Sequence, residues 1–382
     1  MDGPAYPAAR AEASTVQAYF ARHQSEARQR GAKKLAPAPD ADAVEAIIEA
    51  AFWASLRREE GFSPKISLAF VSPEQAGEPL RFERELPLTP QGLSRLSPAV
   101  ERPGIHLGVW RTSENSDQLR VWGTTRSIPK LCFVLEVIEP GLLVIKYRRG
   151  QETGKYVNVI VLKGDQIKIV DERGTSLPDC PDLLTSLLDF GTRASSSDSV
   201  NALVQLAVSM RAHGRGGLLL VVPHRSDAWR ESILQPVPYA VSPPYSELAE
   251  LMHQDTSFRN QPTWQEEFID AVDAIAGLTA VDGAALISDQ YELLAFGAKI
   301  GRRDGGVQVE RVVLTEPIVG GEPAVVPVLE LGGTRHLSAA QFVQDQRGAL
   351  AMVASQDGRF TVLAWSPCEE TVHAHRVETL LL

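Results

Sequence analysis

From Lys65 to Glu172 the chain returns again and again to one pattern, which limits its fold more than any other feature. Seven apolar segments follow one another: ISLAFV, GIHLGVW, LRVWGT, LCFVLEVI, LLVIKYR, YVNVIVLKG and QIKIVDE. Each has strand length, and turn residues such as Pro140-Gly141 and Gly164-Asp165 separate several of them. Such a stretch folds as neighbouring strands, not as a helical bundle. Nor does any apolar run approach the roughly 18 residues that a membrane-spanning helix needs. A helical pattern precedes the strands: between Ala43 and Glu60, apolar residues fall at Val44, Ile47, Ile48, Ala51 and Phe52. Asp40 or Asp42 can cap its start. Residues 1–40 are rich in Ala, Arg, Gln and Pro and read as a flexible or partly helical segment. A short helix is expected there over Ser14 to Arg30.

The pattern changes after the polar SSSDS at 195–199, which offers a loop and a helix cap. VNALVQLAVSMRAHG reads as an amphipathic helix stopped by GRGG at 214–217, and LLLVVP as a buried strand. A Pro-rich stretch follows, then a helix containing EFIDAVDAIAGL. The last hundred residues alternate GAALIS, LLAFGAKI and VERVVL with a helix around AAQFVQDQ, then ALAMVAS and FTVLAW. Helices mixed with strands in this order predict a mixed sheet covered by helices. The fold class is therefore α+β or α/β. A strand-rich domain is expected over 41–194 and a mixed-sheet domain over 195–382, the division expected of 382 residues.

A net charge of −10 argues against broad nucleic-acid binding, while leaving room for a local basic pocket. Three cysteines, Cys132, Cys180 and Cys368, are too few and too scattered for a disulfide framework or a four-cysteine zinc site. The first residues, MDGPAYPAARAEAS, lack the charged-then-apolar order of a secretory signal. These features together read as a cytoplasmic chain with no membrane partner.

Two local motifs carry chemistry. Asp282-Gly283-Ala284 stands just ahead of the strand ALIS, and Gly333-Thr334-Arg335-His336 opens a helix. Singly, the first is a common turn and the second a capped helix start with a solvated arginine. Other candidates take bland readings. GRGG lacks the Lys-Ser/Thr of a phosphate loop and reads as a helix stop. His373 and His375 share one strand face, a metal pair only if a third ligand joins them. Glu59-Glu60 reads as a solvated helix end, and Trp53, Trp110, Trp122 and Cys132 as core.

The ordered set GGLLLVVP, DGA, GTRH and SQDG resembles the diadenylate cyclase domain, over about Ser199 to Trp365. SLRREEGF, LRVWGT and EPGLLVI in the first half resemble DACNV, a sensor domain that accompanies such cyclases. The resemblance implies condensation of two ATP molecules into cyclic di-AMP, with loss of two pyrophosphates, under control of the N-terminal domain. It implies Asp282, Arg335 and His336 as catalytic residues, and Gly283, Ala284, Gly333, Thr334 and Ser355 as ATP contacts. It also implies Mg or Mn as cofactor, with Asp282 and His336 as candidate ligands. Each domain holds one ATP, so a homodimer or higher symmetric oligomer with face-to-face nucleotide domains is expected. Lys299, Arg302 or Arg303 can join Arg335 in a positive funnel. Two departures stand out: Leu337 replaces a second arginine, and Gln356-Asp357 keeps one carboxylate of an acidic pair. They leave open a weak or inactive nucleotide-binding or cyclic-dinucleotide-binding sensor.

Overall fold

The computed structural model describes residues 5–58, 61–111, 118–148, 156–171, 201–259 and 261–382. The expected division at 195–199, Cys180 and Glu59-Glu60 lie outside the described residues. The chain forms two compact units, Met1–Val170 with Leu382, and Asp171–Leu381. Together they make an α+β protein built on two mixed sheets.

The first unit begins with α1 (Pro7–Gln29) and α2 (Ala41–Ser55). Helix α1 starts earlier than Ser14 and is packed, not a tether. Proline at its first turn suits a helix start, and Ala9, Ala13, Val16 and Phe20 form a buried stripe. Mostly small residues make that stripe easy to miss. Tyr6 stacks on Phe52 of α2 with centroids 3.7 Å apart. Asp40 caps α2 by accepting a hydrogen bond from the Ala43 amide at 2.9 Å.

Strands β1 (Ile66–Phe70) and β2 (Leu80–Pro87) follow, then α3 (Pro90–Leu96). Next come β3 (His106–Arg111), β4 (Leu119–Thr125), β5 (Phe133–Glu139) and β6 (Leu142–Arg148). Strands β7 (Tyr156–Lys163) and β8 (Gln166–Ile169) complete the sheet, in the order β2-β4-β3-β1-β5-β6-β7-β8. Its β1–β3 pair is parallel and the others antiparallel. Leu68, Leu107, Leu135 and Ile145 join one core cluster with Val16, Phe20, Ile47 and Ile48 of the helices. Fully burying one such side chain contributes about 1.5–3 kcal/mol. On the opposite face, Trp122 donates its ring N–H to the Val71 carbonyl at 2.8 Å.

The second unit opens with α4 (Ala202–Ala212), capped by the Asn201 side chain, and the cap expected at 195–199 lies outside the described residues. Asn201 accepts from the amides of Leu203 and Val204. Next come β9 (Gly217–Val222), β10 (Tyr239–Tyr245), α5 (Glu247–His253) and α6 (Pro262–Leu278). They are followed by β11 (Ala284–Ser288), β12 (Leu293–Ala298), β13 (Arg311–Thr315) and β14 (Ala324–Pro327). Helix α7 (Thr334–Asp345) precedes β15 (Leu350–Ala354), β16 (Phe360–Ser366) and β17 (Thr371–Arg376). The sheet order is β10-β12-β11-β9-β15-β16-β17-β13-β14, with β9–β11 and β13–β17 parallel.

Alternation along these strands builds two cores. Leu219, Val221, Ile287 and Met352 face α4, α5 and α6, whereas Leu218, Leu220, Leu286 and Val353 face α7. With helices on both faces, the strand ends are left as the place for polar chemistry. Among the described residues, no helix is long and apolar enough to cross a membrane.

Candidate functional site

Strands β9 and β11 are parallel, so the turn before β11 and the turn before β9 lie at the same end of the sheet. Asp282 occupies the first turn, with its side chain 94% exposed. Lys299 reaches it from the end of β12, Nζ standing 2.5 Å from a carboxylate oxygen. The hydrogen bond and charge of Lys299, with a further contribution from Arg335, hold the Asp282 carboxyl below the ordinary range. Asp282 is therefore an ionised acceptor at neutral pH.

Gly283 has φ of +120°, and a Cβ there would stand 2.5 Å from the Gly297 carbonyl carbon. Its lack of a side chain serves this close approach of β12, whereas the sequence suggested approach to a ligand. The Ala284 side chain is buried in the core beneath α7.

The second motif starts α7. Gly333 is its N-cap residue, with open space where a Cβ would be, and Thr334 is exposed. The guanidinium of Arg335 reaches across to the turn before β9, its Nη1 2.7 Å from where a Cβ on Gly216 would stand. Gly216 itself has φ of +72°. GRGG is thus more than a helix stop: Gly214 follows the end of α4, and Gly216 makes room for Arg335. A helix stop needs only Gly214; the extra Gly216-Gly217 pair hints at a close approach without revealing which side chain makes it. His213 lies in the same group, pushed below the usual histidine range by burial and by Arg215 and Arg335. Gln356, in the β15–β16 turn, donates to the Arg215 carbonyl at 3.3 Å. Ser355 is held in that turn by backbone bonds with Arg359 and Gly358.

His336 is placed differently. It is 2% exposed, its Nε2 lies 3.3 Å from Thr361 Oγ1, and burial lowers its pKa to about 4. Its ring packs against Gly332, and it belongs to the core under α7 rather than to the open group around Asp282. Arg303 is also elsewhere, paired with Glu231 at 3.0 Å. It lines a cleft of about 790 Å³ with Trp229, Asp345 and Arg347, at the other end of β9 and α7. That cleft is remote from the motif residues, and their convergence is the stronger indication of a site.

His373 and His375 lie side by side on β17, with ring centroids 5.8 Å apart. Each is tied to a protein group, His373 to Glu369 at 3.0 Å and His375 to Thr315 at 2.6 Å. Among the described residues, no three His, Cys, Asp or Glu side chains gather as a metal site. Of the two residues expected to hold a metal, Asp282 is an exposed carboxylate, whereas His336 is buried in the core.

The first unit holds a second polar cluster. His106 sits between Ser67 Oγ at 2.7 Å and the Tyr156 hydroxyl at 2.9 Å. Lys146 pairs with Glu136 at 2.6 Å and lies over the Tyr156 ring. Burial lowers His106 to about 4 and raises Tyr156 to about 12. The cluster's polar groups satisfy one another, as buried polar groups must.

The family model of the probable sensor domain DACNV matches residues 33–126. This stretch runs from ahead of α2 to the end of β4, within the first unit. No curated relative matches the chain.

Proposed function

We propose that the chain is a diadenylate cyclase whose first unit, Met1–Val170, regulates a nucleotide domain in the second, Asp171–Leu381. The observation that carries this reading is the convergence of four separate segments at one end of the second sheet. They are the turn His213–Gly217, the Asp282–Gly283 turn, the start of α7 at Arg335, and the β15–β16 turn. The match to a probable sensor domain at 33–126 supports the regulatory half of the proposal.

The chemistry assigns a role to each group. Each ATP presents its 3′-hydroxyl to the α-phosphorus of the other; the new P–O bond forms as the bond to pyrophosphate breaks. Asp282, exposed and ionised, orients the hydroxyl and accepts its proton. Arg335 forks onto phosphate oxygens, and the exposed amides at Gly333 and Thr334 add donors at a helix start. A magnesium or manganese ion held by Asp282 would neutralise phosphate charge. His336, buried and neutral, acts from beneath by fixing the first turn of α7 instead of touching the nucleotide. Two nucleotides need two copies of the site, so the working form is a symmetric homodimer or larger assembly.

Incubating the purified full chain with ATP and Mg or Mn, followed by mass spectrometry, tests this directly. Cyclic di-AMP is expected, and its loss in Asp282→Asn. Absence of product with both metals overturns the cyclase reading. A second reading, a nucleotide-binding sensor with little or no turnover, draws on Leu337, which packs against the core, and on Gln356, spent on a backbone carbonyl. Binding of ATP or cyclic di-AMP by calorimetry without product favours it.

A further inference from the structure

Leu337, beside His336, brings no charge to the site, being half-buried against the core beneath α7. A cation reaches the site by another route. The antiparallel register of β11 and β12 pairs Ala284 with Ala298, which puts Lys299 beside the Asp282 turn. The bare Gly283 allows the two backbones to touch there, since a Cβ on it would meet the Gly297 backbone at 2.5 Å. The position of Lys299 is therefore built into the sheet.

Its present partner is easily displaced. Both members of the Lys299–Asp282 pair are open to solvent, at 47% and 94% side-chain exposure, and exposed ion pairs bind weakly. Arg335 makes no hydrogen bond or ion pair among the described residues. Lys299 and Arg335 thus face one carboxylate, leaving positive charge at the mouth of the site. A lysine is a compact charge on a flexible stem and can turn from one anion to another.

We propose that Lys299 is a triphosphate-binding residue, which leaves Asp282 for a phosphate oxygen when a nucleoside triphosphate enters. The exchange also releases the Asp282 carboxylate for the incoming hydroxyl. This inference rests on the nucleotide reading above, and its test separates the two.

Calorimetry on the full chain, with ATP and with adenosine as probes, compares the wild type with Lys299→Met and Lys299→Arg. Lys299→Met weakens ATP binding at least about tenfold, the scale of one lost charge-assisted hydrogen bond, and leaves adenosine binding unchanged. Lys299→Arg retains most of the ATP affinity. Circular dichroism checks that each exposed substitution leaves the fold intact. Unchanged ATP affinity in Lys299→Met, or an equal loss for adenosine, overturns the role of Lys299 while the nucleotide reading stands. A wild-type chain that binds neither probe overturns both.

Discussion

The two sheets are of similar size but are covered differently. In the first unit α1, α2 and α3 all contribute to the core on one face, and the other face carries smaller apolar clusters and the Ser67–His106–Tyr156 group. In the second unit helices cover both faces, and the exposed ionic groups collect where strands end. The first arrangement buries its polar groups in mid-sheet, where they satisfy one another. The second leaves Asp282, Lys299 and Arg335 with capacity to spare for a ligand. The second unit also buries polar groups, His336 and His375 among them; on the proposed reading, its exposed set answers to loss of ligand, whereas the buried groups of both units answer to loss of folding.

The largest test of this contrast is Asp282→Asn. Turnover is expected to fall about 10²- to 10⁴-fold, the usual contribution of a positioned acid–base group. The thermal unfolding midpoint should stay where it is, because the side chain is 94% exposed. A large drop in that midpoint would place Asp282 among the structural groups.

Acid should next separate the units. A histidine with a depressed folded pKa binds its proton more readily when unfolded. Its stabilisation is present above the ordinary histidine range and is lost as pH falls towards the folded value. His106 in the first unit lies at about 4, and His336 and His375 in the second at about 4 and about 3. Between pH 7 and pH 5 each of these three loses about 2 kcal/mol, and His213 in the second unit is shifted the same way, so the second unit should lose at least about twice as much as the first. Hydrogen exchange of amides in each sheet at the two pH values measures this, and equal losses would break the contrast.

Gly283→Ala should cost about 3 kcal/mol, since it combines strain at positive φ with a collision against an immovable backbone. Gly108→Ala in the first unit also collides, 2.1 Å from the ring of Trp122, which is buried and held by its bond to Val71, but it carries no positive-φ strain. Denaturant titration should show a loss for both variants, and only Gly283→Ala should lower nucleotide affinity. The smallest effects are the helix caps. Asp40→Ala and Asn201→Ala should each cost about 1 kcal/mol by the same measurement, one in each unit.

Much of this architecture could be read from the sequence where burial was regular. The seven segments between Lys65 and Glu172 are strands β1 and β3–β8 because alternating or continuous apolar residues leave no other way to bury them. Strand β2 escaped notice because LRFERELP is exposed along its length and carries no burial pattern. Strand β10 escaped because Pro243 and Pro244 argue against a strand, although prolines are tolerated at a sheet edge. At the site, Asp282 and Arg335 stood out as motif residues, but their meeting depends on register and on Gly216, which no local pattern reveals. His336 shows the converse: its motif suggested an open ligand contact, while the helix phase turns it into the core.

The outer strands have one more consequence. A sheet ends in a row of unpaired amides and carbonyls that can recruit another chain. Strand β2 ends the first sheet with Arg81, Glu83, Arg84 and Glu85 in its eight residues, and β10 ends the second with its paired prolines. Strand β14, at the other end of the second sheet, is only four residues long. Charge, missing amides and shortness each obstruct strand-to-strand stacking, so these margins protect a chain with two wide sheets against aggregation as its concentration rises.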